Sequence, residues 1–139
     1  MLRSADYIQV ISGYLRDFCL MRGAQAAIEI VPNGVDIGLF STKYRPDEIK
    51  ALREYLGIKD EYVALTTSRL VHKNGVDIFI KAVAKFKERR PNIKCLIIGS
   101  GPELDKLKAL SEKLNIGNDI LFLGHIPQND LPLYFAISD

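Results

Sequence analysis

The stretch RLVHKNGVD (69–77) places Arg69, His72 and Lys73 close together, with no acidic residue until Asp77. An apolar run gives way here to a helical pattern, so these residues fall on a strand-to-helix turn. The first turn of a helix presents N–H groups with no partner inside the helix, and these favour an anion. Arg69 adds a planar fork that matches phosphate oxygens, and Lys73 adds a mobile point charge. Asn74 stands where it can cap the helix. A charge-assisted hydrogen bond contributes ~1.5–3 kcal/mol, so Arg69 and Lys73 together could hold a diphosphate. The competing reading leaves both as solvated surface cations.

GSGPEL (99–104) also follows a strand and opens a helix. It suggests a dinucleotide-binding turn, but two features argue against one. Leu104 takes the third glycine's place, and no acid ends the next strand, which runs into Gly124 and His125. What remains is a tight turn, or a bare backbone surface that a flat base can approach. His72 and His125 lie in different loops without companion ligands, so no metal site is expected. No Ser-His-Asp or Cys-His assembly can be drawn, and no residue stands out as a catalytic base.

The bulk composition narrows the partners. The 139 residues are 47% apolar and 26% charged, values ordinary for one folded domain. A net charge of +2 with dispersed cations gives no footprint for nucleic acid. Cys19 and Cys95 sit in unlike settings, one helical and one in a strand, and read as buried free thiols. No apolar stretch reaches signal-peptide or transmembrane length, so the expected compartment is the cytoplasm.

The elements that position these residues alternate. Strands are expected at 7–12, 28–32, 62–68, 93–99 and 120–124; the run at 93–99 is apolar enough to be buried on both faces. Helices are expected at 12–23, 46–57, 74–90, from 104 to Gly117, and from 131 onward. Ser12, Pro46, Gly23 and Gly57 supply start and stop signals. Pro32-Asn33-Gly34 is a turn, and 35–45 reads as a linker. Short connections between alternating strands and helices predict an α/β, Rossmann-like parallel sheet built of βαβ units.

Several segments together resemble one family. VPNGVDIGLF is similar to the linker motif of the retaining GT-B glycosyltransferases of family 4, or "group 1", type. SRLVHKNGVDIFIKAV resembles their strand–loop–helix signature. CLIIGSGPELDKL and ILFLGHIPQNDLPLYFAISD resemble the next two units, and ADYIQVISGYLRDF the end of their N-terminal domain. The matches run in family order over nearly the whole chain. The resemblance implies that Arg69, Lys73 and Asn74 bind the diphosphate of a nucleotide-sugar donor. It implies that the loops at Gly99, Gly101, His125 and Ile126 face the nucleobase, and that Asn33 and Gly34 border an interdomain cleft. One departure is local: the family's lysine directly precedes the glycine, a place held here by Asn74. Another is an absence, since no two glutamates here have seven residues between them, the family's pair for sugar and ribose.

The expected organisation is therefore a remnant of an N-terminal domain (1–34), a linker and helix (35–61), and the first half of a donor-binding domain (62–139). The expected reaction is hexosyl transfer with retention from a UDP-, GDP- or ADP-sugar, with no cofactor and no metal, to an unidentified acceptor. The chain alone is expected to be inactive and to self-associate, or to pair residues 7–12 or 28–32 against an open sheet edge. Peripheral membrane association is expected of the full-length protein. The alternatives are a non-catalytic nucleotide-binding or self-associating module and a GT-B nucleotide-sugar epimerase.

Overall fold

Strands and helices alternate along the chain, as the patterning predicts. The computed structural model describes residues 4–139, and the chain divides into two units, Met1–Phe40 and Ser41–Asp139. The first holds β1 (Tyr7–Val10), α1 (Gly13–Met21), β2 (Ala27–Ile30) and a short α2 (Ile37–Phe40). α1 begins where Ser12 Oγ accepts the Leu15 N–H at 3.3 Å, which satisfies one of the free amides at the helix start. Gly23, at φ +83°, follows its end. Asp36 opens α2 by accepting the Leu39 N–H at 2.9 Å, so the stretch read as irregular contains a helical turn.

β1 and β2 pair in parallel, Tyr7 opposite Ala27 and Val10 opposite Ile30, in a two-stranded sheet of their own. Each strand of the first unit thus has its partner inside that unit. A partner joined through one helix needs less loop closure than one beyond the 35–61 stretch.

The second unit holds α3 (Pro46–Tyr55), β3 (Tyr62–Thr67), α4 (Val76–Arg89), β4 (Ile93–Ile98), α5 (Leu104–Lys113), β5 (Ile120–Gly124) and α6 (Leu131–Ala136). Its sheet is parallel, in the order β3-β4-β5, with Tyr62 opposite Ile93 and Cys95 opposite Ile120. β4 lies in the middle, and Cys95, Leu96 and Ile97 are completely buried. The strand period divides the core. Cys95 and Ile97 join Val76, Ile80, Val83 and Leu107 beneath α4 and α5. Leu96 joins Val63, Ile58 and Ile137 on the other face, with Ile49 and Leu52 of α3 and Tyr134 of α6 packed against them. Each such side chain contributes about 1.5–3 kcal/mol by leaving water.

Polar ties hold the layers in register. The Arg53 guanidinium of α3 donates to the carbonyls of Glu61 at 2.7 Å, Ile137 at 2.9 Å and Lys59 at 3.1 Å. Lys87 of α4 pairs with Asp119 in the turn before β5. Both cysteines are free and buried. Burial pushes the Cys95 thiol up to about 12, so it stays protonated and inert at neutral pH.

Candidate functional site at the carboxyl ends of the strands

Three loops leave the carboxyl ends of β3, β4 and β5, and backbone hydrogen bonds lace them together. Ser68 N–H donates to Ile98 O at 3.0 Å, and Leu70 N–H to Ser100 O at 2.9 Å. Glu103 N–H returns to Leu70 O at 3.1 Å, and Gly99 N–H reaches Gly124 O at 2.6 Å. The side chain of Leu70, 0% exposed, anchors the first loop in the core. Between these ties, Arg69 stays exposed.

The loop then departs from its expected form. His72–Asn74 make a 3-10 turn, and Gly75, at φ +66°, supplies the left-handed residue that lets α4 begin at Val76. Asn74 is therefore not the helix cap. Its side-chain amide donates to Arg69 O at 2.8 Å, closing the loop on itself and fixing the backbone from which Arg69 projects. Arg69 and Lys73 find no acidic partner among the described residues. Asp77, the first acid after them, is held by Lys81 at 2.7 Å; that hydrogen bond is the main reason its carboxyl lies below the usual range. The loop thus presents two uncompensated cations.

The glycines of the second loop do something the motif does not announce. Gly99 has φ +136°, and a Cβ there would lie 1.9 Å from Ser68 O; a Cβ on Gly101 would lie 2.3 Å from Leu70 O. Their bare faces are turned to the neighbouring backbone, so the missing side chains serve close loop packing. No local pattern carried this signal, because the other partner lies some thirty residues upstream. Sequence reasoning also passed over Leu70, whose anchoring role shows only in its burial.

His125 is exposed and Ile126 half-buried just beyond β5. Ile126 borders a cavity of about 440 Å³ whose wall includes Tyr44, Asn129, Asp130 and Tyr134. Burial, and then the charges of Tyr55 and Asp130, raise the Tyr134 phenol. The structure brings Arg69, Lys73, Asn74, Gly99 and Gly101 into connected loops, with Gly124 joining them to His125 and Ile126. Asn33 and Gly34 belong to the first unit and are exposed there. Among the described residues, no three His, Cys, Asp or Glu side chains converge on a metal-sized site, and no helix is long and apolar enough to cross a membrane.

Comparisons with known proteins agree with this architecture. The model of the family "Glycosyl transferases group 1" matches residues 48–139. A GDP-mannose-dependent alpha-(1-6)-phosphatidylinositol monomannoside mannosyltransferase of Mycolicibacterium smegmatis is 34% identical over 97% of this chain. An alpha-monoglucosyldiacylglycerol synthase of Acholeplasma laidlawii is 30% identical over 79% of it. The crystal structure of Anabaena Alr3699/HepE in complex with UDP and glucose superposes with a TM-score of 0.85, at 28% identity over 99% of the chain. The chain spans only 35% of the mannosyltransferase, 28% of the synthase and 37% of the Anabaena chain. On the family match and on the mannosyltransferase's identity, this chain belongs to the group 1 glycosyl transferases, and its Rossmann-like sheet is part of their GT-B fold.

Proposed function

We propose that the chain is the donor-binding portion of a hexosyltransferase that uses a nucleoside diphosphate sugar and retains the anomeric configuration. The observation that carries this reading is the loop 69–75. Arg69 and Lys73 stand unpaired at the strand ends, on a backbone tied down by Asn74 and Leu70. As the glycosidic bond breaks, negative charge grows on the departing diphosphate. Fixed cations stabilise that charge with little reorganisation, and no metal is required for it. The carboxyl ends of parallel strands are where open α/β sheets take nucleotides. The UDP bound in the Anabaena structure and the GDP-mannose named for the mannosyltransferase accord with such a donor.

Phosphate binding alone acts almost equally on ground and transition states and lowers no barrier. Transfer also needs groups that hold the sugar and exclude water, and residues 1–139 contain no glutamate pair at the family's spacing. The isolated chain is therefore read as a donor binder without turnover. The names of two relatives carry lipids, a phosphatidylinositol monomannoside and a monoglucosyldiacylglycerol, which supports work at a membrane surface by the full-length protein.

Calorimetry with UDP, UMP and uridine, repeated in the guanosine series, tests the proposal. The diphosphate should bind more tightly than the monophosphate. Arg69→Ala should weaken the diphosphate by about 1.5–3 kcal/mol and leave the bare nucleoside unchanged. Equal losses for all three would make Arg69 a structural residue.

A further inference from the structure

Arg69 and Lys73 are held by different means. Arg69 adjoins Leu70, whose side chain is fully buried, whose N–H donates to Ser100 O and whose carbonyl accepts the Glu103 N–H. The backbone at Arg69 therefore moves only with the second loop. Lys73 has no such neighbour. From Val71 to Gly75 no side chain is buried, and the next anchor is Val76, 4% exposed, at the start of α4. The 3-10 turn between them is three residues long, and a turn of that kind, with its poorer hydrogen-bond geometry, holds little by itself. On its own it would let Lys73 move while Arg69 stayed in place.

One carbonyl closes the span. Arg69 O accepts the Val71 N–H at 2.9 Å and the Asn74 side-chain amide at 2.8 Å, so both of its lone pairs are used. Among the described residues, the second of these is the one side-chain hydrogen bond made by residues 69–75. It runs from the residue after Lys73 to the residue that carries the other cation. The tie thus holds the two charges at one separation.

We propose that Asn74 is a positioning residue that sets the preference of this loop for a diphosphate over a monophosphate. A diphosphate carries its charge on two linked groups, and both are met at once only by cations held at a matching distance. A side chain already in place loses little further freedom on binding, and the second contact of a linked pair gains from the fixed separation. A monophosphate needs only one of the two cations, so their spacing does not matter to it. Asn74 acts through Arg69 and Lys73, since its amide nitrogen is bound to Arg69 O. The inference rests on the donor reading above and adds the residue on which its selectivity turns.

Calorimetry with UDP and UMP, and with GDP and GMP, on the full chain and on Asn74→Leu tests this. Leucine has nearly the size of asparagine and no donor; the position is exposed, and Asn74→Ala replaces it if the leucine variant aggregates. The diphosphate should bind about five- to tenfold more weakly in the variant, and the monophosphate within about twofold of the parent. In an Arg69→Ala or a Lys73→Ala background, Asn74→Leu should change diphosphate affinity by less than about twofold, because no pair is left to space. Equal losses for monophosphate and diphosphate would overturn the proposal. So would a full loss that persists in both backgrounds, which would make Asn74 a direct ligand of the phosphate. An unchanged diphosphate preference in Asn74→Leu would overturn it while leaving the donor reading standing. A parent chain that binds the diphosphates no better than the monophosphates would overturn the donor reading, and the proposal with it.

Discussion

The loops after β3 and β4 leave neighbouring strands, run in the same direction and each lead into a helix, yet they use opposite chemistry. The loop at 69–75 fixes its backbone through Leu70, Asn74 and Gly75 and leaves its long cationic side chains free. The loop at 99–103 is held instead by backbone pressed against backbone at its two glycines. The first leaves unpaired positive charge at the surface, and the second packs its backbone against the first.

Substitutions can break this contrast. Gly99→Ala should do the most damage, because its Cβ would collide with Ser68 O at a backbone angle that L-residues rarely adopt. Strain and clash together should cost about 3 kcal/mol or more, read as a lower urea midpoint. Leu70→Ala should cost about 2–4 kcal/mol by opening a cavity under the cationic loop. It should also weaken UDP, since the backbone carrying Arg69 loosens. Arg69→Ala should leave the urea midpoint within about 0.5 kcal/mol of the parent while removing diphosphate affinity; a large stability loss would erase the distinction between the two loops. Ser68→Ala should be the mildest. The Ser68 hydroxyl is buried and has no hydrogen-bond partner in the protein, so its removal should change stability by less than about 0.5 kcal/mol, in either direction. A loss well above that would mean that the hydroxyl holds the loop junction.

Much of the fold was legible because burial writes period and composition into the chain. The apolar run of β4 announced a strand covered on both faces, and the spacing of Val76, Ile80 and Val83 announced the buried side of α4. The family order of the motifs supplied the rest of the outline. Asn74 was misread because a polar residue before a helix resembles a cap, whereas Gly75 takes the left-handed conformation and moves the helix start to Val76. The short α2 and the 3-10 turns are too brief for any periodicity. Arg69 and Lys73 could be singled out by type and spacing. The tasks of Gly99, Gly101 and Leu70 could not, because each is defined by contact with a loop distant in sequence.

Arg53 carries a consequence for how the second unit comes apart. One guanidinium binds the carbonyls that close the α3–β3 connection and the carbonyl of Ile137, eighty-four residues away. If α3 lifted from the sheet, those carbonyls would lose their donor together and Leu96 would lose its cover. If the end of α6 frayed, the same guanidinium would lose an acceptor. That face should therefore open as one cooperative event, with the amides of α3 and of the last turn of α6 exchanging at a common rate.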